Sequence, residues 1–133
     1  MKKTIIYFTG VYDTLDLFTE ELKTVFETLG FASFVYDARL ERQSKQALLE
    51  LLREGQPSAQ SFCCVTFNNL GYNLALPDGR NLWEAFEIPY VDILMDHPFH
   101  YEKPLRNAPG TALILCTDRN HVKYIRRFFP NIR

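Results

Sequence analysis

The sequence predicts an α/β fold with an open, mostly parallel five-stranded sheet. Five short segments, residues 4–9, 31–36, 61–67, 89–95 and 111–116, are apolar on both faces, as strands covered by helices on either side are. Between several of them run segments whose apolar residues recur every three or four positions, the spacing of an amphipathic helix. The chain has 133 residues, 47% of them hydrophobic, the length and composition of one domain able to bury a core without staples. Strands alternating with helices imply right-handed crossovers, hence a Rossmann-like three-layer sandwich; the expected strand order is 3-2-1-4-5.

The first strand, Thr4-Ile5-Ile6-Tyr7-Phe8-Thr9, ends at Gly10. Asp13 is expected to cap a helix carrying Leu15, Phe18, Leu22, Val25, Phe26 and Leu29 as one buried stripe, with Gly30 as its stop. The second helix places Leu40, Ala47, Leu48, Leu51 and Leu52 on its buried side and is followed by Gly55 and a Pro57-containing loop over 56–60. Residues 68–80, rich in asparagine, glycine and proline, predict an irregular loop, and Asn81 a cap for a short helix through Phe86. A second irregular loop is expected over 96–110, where Pro98, Pro104, Pro109 and Gly110 fall. Asp118 caps a last helix bearing Val122, Ile125, Phe128 and Phe129, stopped by Pro130.

Composition narrows the function. A net charge of −1 argues against a nucleic-acid or membrane surface, and no apolar run approaches the roughly 20 residues of a membrane span. Met1-Lys2-Lys3 precedes too short an apolar stretch for a signal peptide. Cys63, Cys64 and Cys116 sit within apolar runs and read as core thiols, so a reducing, cytoplasmic setting is expected.

Open α/β sheets bind ligands beyond the carboxyl ends of their strands. Those ends carry Gly10, Asp37, Asn68-Asn69, Asp96-His97 and Asp118, and both long loops leave from the same edge. In Asp96-His97-Pro98-Phe99-His100, a carboxylate beside an imidazole suits a general base; the plain alternative is loop capping. Pro98 breaks any helical spacing of His97 and His100, so no metal site is expected. Asn68 and Asn69 suit either amide contacts to a sugar or phosphate, or a left-handed turn. His121 either faces the cleft or covers a helix end. Thr9-Gly10-Val11-Tyr12-Asp13-Thr14 lacks the dinucleotide glycine spacing and resembles a flavodoxin phosphate loop only in Thr9, Gly10 and Thr14.

Four segments carry a family resemblance: Thr66-Phe67-Asn68-Asn69-Leu70-Gly71, Ile88-Pro89-Tyr90-Val91, Asp96-His97-Pro98-Phe99, and Cys116 to Val122 with Tyr124-Ile125. Together they resemble the N-terminal half of bacterial glycosyltransferases of GT-B fold, the spore-maturation and spore-coat glycosyltransferase-like proteins. The likeness covers the second half of the chain in sequence and the first half in topology. It implies an acceptor-side domain facing a nucleotide-sugar-binding domain that would follow Arg133, with no resident cofactor or metal. It also implies His97, with Asp96, as base for a sugar or glycan hydroxyl, and Gly10, Asn68, Asn69, His100, Asp118 and His121 around the acceptor. By itself the chain is expected to be inactive. Two other readings remain open: an FMN or phosphate-ligand module, and a non-catalytic interaction domain that dimerises through Trp83, Phe99 and Tyr101.

Overall fold

A computed structural model describes residues 2–55 and 61–133; the loop expected over 56–60 lies outside the described residues. Five parallel strands form one open sheet in the order β2-β1-β3-β4-β5, with helices on both sides: β1 (Thr4–Thr9), β2 (Ala32–Asp37), β3 (Phe62–Phe67), β4 (Tyr90–Leu94) and β5 (Ala112–Cys116). The predicted α/β, Rossmann-like class is therefore what the chain adopts. The order 3-2-1-4-5 is not: β3 lies beside β1 and β2 takes the edge. Burial accounts for the exchange. In β2 only Tyr36 is buried, whereas Cys64 to Phe67 of β3 are all buried and suit an inner strand.

The chain divides into two compact units, Met1–Val65 and Thr66–Arg133. In the first, β1 pairs with β2 from Thr4↔Ala32 to Thr9↔Asp37 and with β3 from Thr4↔Phe62 to Ile6↔Cys64. Helix α1 (Asp13–Thr28) starts one residue earlier than a cap at Asp13 would allow; Tyr12 occupies the cap position without a side-chain bond. Gly30, at φ +92°, follows it as predicted. The expected stripe of α1 is only partly covered: Leu15 is buried, but Phe18, Val25 and Leu29 are 40%, 54% and 67% exposed. Helix α2 (Glu41–Glu54) buries Leu48 and Leu52, while Leu40 falls in a preceding 3-10 turn and is exposed.

In the second unit, β4 and β5 pair from Tyr90↔Ala112 to Leu94↔Cys116. Helix α3 (Leu82–Ala85) is capped by Asn81, whose Oδ1 accepts the N–H groups of Trp83 and Glu84. Residues 96–110 are not irregular throughout. They hold a 3-10 turn (Pro98–Tyr101) and helix α4 (Glu102–Arg106). Pro98 and Pro104 stand in first turns, where the missing N–H costs no helical bond, so these prolines start helices instead of preventing them. Helix α5 (Arg119–Phe128) is capped by Asp118, whose Oδ1 accepts Asn120 N–H at 2.7 Å. Leu94, Leu105, Ile125 and Phe129 form the core against which Tyr101, Cys116 and Tyr124 pack. Trp83, expected at a surface, is fully buried and donates its indole N–H to Gly71 O at 2.7 Å. Among the described residues no helix is long and apolar enough to cross a membrane, and all three cysteines are free.

Candidate functional site

The pleat of β4 turns Tyr90, Asp92 and Leu94 to one buried side. Asp92 is fully buried; its Oδ1 accepts Asn69 N–H at 2.9 Å, and its Oδ2 has no partner among the described residues. Desolvation raises the Asp92 carboxyl pKa to about 7, against the pull of the Asn69 bond. Nothing in the sequence reading singled out Asp92, although a carboxylate inside an apolar strand is itself a signal.

Beyond β3 the chain turns through Asn68 and Asn69, both left-handed at φ +47° and +61°. Asparagine is among the few residues with a side chain that enter this region readily. Asn68 N–H donates to Ile93 O at 3.0 Å, its Oδ1 accepts Met95 N–H at 2.9 Å, and its Nδ2 donates to Asp96 Oδ2 at 3.1 Å. At 9% and 3% exposure, Asn68 and Asn69 face inward. Of the two readings of this pair, the structure shows the turn; the Asn68 amide binds protein groups, stitching the end of β3 to the end of β4.

Asp96 is thereby held at the carboxyl end of β4, exposed to solvent. Its Oδ2 accepts both Asn68 Nδ2 and Tyr101 O–H, the latter at 2.9 Å, while Oδ1 has no hydrogen bond among the described residues. His97 is bonded elsewhere. Its Nδ1 accepts Phe99 N–H at 3.0 Å, capping the 3-10 turn. A neutral ring whose Nδ1 accepts carries its proton on Nε2, so His97 offers a donor where a base would need a lone pair. The ring packs edge-on against His121 and Tyr124, with centroids 4.8 and 5.0 Å away. His121 Nδ1 is buried without a hydrogen-bond partner among the described residues. His100 is exposed beside Phe99, 67% exposed, and both border a shallow groove of about 410 Å³ that continues over Lys103 and Pro104. Asp118 is engaged as the α5 cap.

Asn68, Asp96 and Tyr101 are therefore joined by hydrogen bonds, with Asp92 reaching Asn68 through Asn69, while His97 packs with His121 and Tyr124. Among the described residues no three His, Cys, Asp or Glu side chains converge as metal ligands.

Gly10 belongs to the other unit. Its N–H donates to both carboxylate oxygens of Asp16, 3.1 Å each, and its φ is +91°. A Cβ there would stand 2.5 Å from Oδ1 of Asp37, whose two carboxylate oxygens each accept one Arg39 guanidinium N–H at 3.0 Å. The amide that a phosphate loop would present is thus occupied by the chain's own carboxylate. Against protein-family models, curated proteins and solved structures, the chain finds no match.

Proposed function

We propose that this chain is the acceptor-side domain of a glycosyltransferase-like enzyme that works with a separate nucleotide-sugar-binding domain. One observation carries the reading: at the carboxyl end of β4, Asp96 has one oxygen fixed by Asn68 and Tyr101 and the other open, with His97 next to it. A carboxylate oriented in this way accepts the hydroxyl proton of a sugar as the hydroxyl attacks. His97 Nε2–H donates to a neighbouring sugar oxygen, and exposed Phe99 offers a ring face to the rest of the acceptor. The roles foreseen for His97 and Asp96 are thus exchanged: Asp96 is the proposed base and His97 the donor. The resembling segments point to the same place in the chain, since Asp96 and His97 stand in one of them and Asn68 and His121 in two others, but they imply His97 as the base.

The test has two arms. Titration of the 133-residue chain with oligosaccharides, followed by amide NMR, should move the resonances of Asp96, His97 and Phe99, and Asp96→Ala should weaken binding about tenfold, one charged hydrogen bond's share. In the protein joined to its donor-binding domain, Asp96→Ala should cut kcat by about 10²- to 10⁴-fold. Unchanged turnover in that variant overturns the reading.

A flavodoxin-like phosphate site is disfavoured by the Asp16 carboxylate on Gly10 N–H. Self-association has some support from Phe99, Leu113 and Leu115, which are 67%, 45% and 45% exposed; sedimentation of Leu113→Lys against the parent chain measures it.

A further inference from the structure

We infer that Asp92 is a positioning residue: from inside β4 it locks the tandem left-handed turn at Asn68-Asn69, and through Asn68 it sets the orientation of the Asp96 carboxylate. The inference rests on the reading of Asp96 as the acceptor-contacting group.

The connection runs through consecutive contacts. Asp92 Oδ1 accepts Asn69 N–H at 2.9 Å. That bond fixes Asn69 at φ +61° and, with Asn68 N–H on Ile93 O at 3.0 Å, fixes Asn68 at φ +47°. Two successive side-chain-bearing residues in this region are costly, and such a turn persists only where its surroundings impose it. The Asn68 side chain, placed by that backbone, reaches Met95 N–H with its oxygen and Asp96 Oδ2 with its nitrogen. Tyr101 O–H supplies the second grip on the same oxygen. Asp92 is four residues and a strand end away from the group it orients.

Burial gives the second line of argument. A carboxyl with no exposure, one oxygen unpartnered and one serving a single backbone amide, is poorly placed for stability alone; an aliphatic side chain would suit β4 better. Around it stand buried Tyr90 and Leu94 on its own strand, half-buried Ile114 opposite it on β5, and the Cys116 thiol at the end of β5. What Asp92 uniquely supplies is an acceptor aimed at Asn69 N–H. Costly polar groups kept beside a strained turn are a mark of functional positioning.

The experiment follows amide hydrogen exchange in the 133-residue chain together with oligosaccharide binding. Measured at pH 4, where the acid is protonated in the folded chain, Asp92→Asn keeps an acceptor oxygen and should leave Asn69 and Met95 protection, and binding, within about twofold of the parent. Asp92→Val suits the strand but removes the acceptor. Protection at Asn69 and Met95 should then fall roughly tenfold to a hundredfold, the share of one hydrogen bond to a charged or buried group, while β1 and β2 amides keep theirs. Binding should fall as far as in Asp96→Ala. Asn68→Gly, which keeps the turn and deletes the amide, should weaken binding without touching Asn69 protection. Unchanged protection at Asn69 in Asp92→Val overturns the inference, as does equal damage by Asn and Val. If Asp92→Val releases Asn69 and Met95 while Asp96→Ala binds sugar like the parent, the lock stands and the acceptor reading falls.

Discussion

Replacing Asp92 by asparagine should make the protein more stable, and more so as pH rises. Burial lifts the folded-state pKa of Asp92 from 3.8 to about 7. The folded chain therefore holds this proton more tightly than the unfolded chain, and stability is lost as pH climbs from below 3.8 through about 7. The difference corresponds to about 4 kcal/mol at pH 8, where both states are ionised, a sizeable part of the 5–15 kcal/mol typical of a domain. Asparagine leaves an oxygen for Asn69 N–H and has no proton to lose, so the variant omits this titration while every other carboxylate is retained. Urea denaturation of both proteins, followed by far-ultraviolet circular dichroism between pH 4 and pH 8, isolates the effect. The stability gap should be small at pH 4 and widen by up to about 4 kcal/mol at pH 8, most steeply between pH 5 and 7. Parallel curves across that range would show that Asp92 titrates normally and that its enclosure, as argued from the geometry, is wrong.

Other perturbations test separate parts of the structure. Gly10→Ala introduces a side chain at φ +91° and a Cβ against Asp37 Oδ1; it should cost at least about 1–2 kcal/mol in thermal or urea melts. Adding FMN or inorganic phosphate should leave the Gly10 amide resonance where it is, whereas Asp16→Ala should move it, since Asp16 occupies that N–H. Trp83→Phe removes the bond to Gly71 O and leaves a void in a fully buried position; a loss of about 2 kcal/mol in urea melts is expected. Phe99→Ser, at a 67% exposed site, should change stability by less than about 0.5 kcal/mol yet weaken oligosaccharide binding in the titration described above.

The alternation of strands and helices was legible because both faces of a central strand must be apolar, and segments such as 4–9 and 61–67 show it directly. Strand order was not, because right-handed crossovers permit β3 on either side of the β1–β2 pair. What distinguishes them is subtler: Ala32, Ser33 and Asp37 make β2 the least apolar strand of its unit, and so its edge. The proline-rich stretch 96–110 misled for a related reason. Proline excludes a helix interior but favours a first turn, and its effect depends on a helix start that only the folded chain defines. The stripe on α1 was read as wholly buried because spacing shows which residues share a face, not how wide the sheet beneath that face is.

At the candidate site the sequence pairs Asp96 with His97, and the structure gives each of them other partners. Asp96 and His97 are adjacent in the chain, and adjacency suggested a carboxylate supporting an imidazole. Successive side chains in extended backbone point apart, however, and His97 enters the 3-10 turn with φ −63° and ψ 134°. Its Nδ1 is therefore free to cap Phe99 N–H, while Asp96 takes its partners from 28 residues upstream and 5 downstream. That rearrangement underlies the proposed chemistry. An imidazole whose Nδ1 accepts from the backbone is fixed as an Nε2 donor, whereas the Asp96 carboxylate is held through one oxygen by Asn68 and Tyr101. On the proposed reading, placement by Asn68, itself set by Asp92, is what gives the exposed Asp96 its role toward the acceptor hydroxyl.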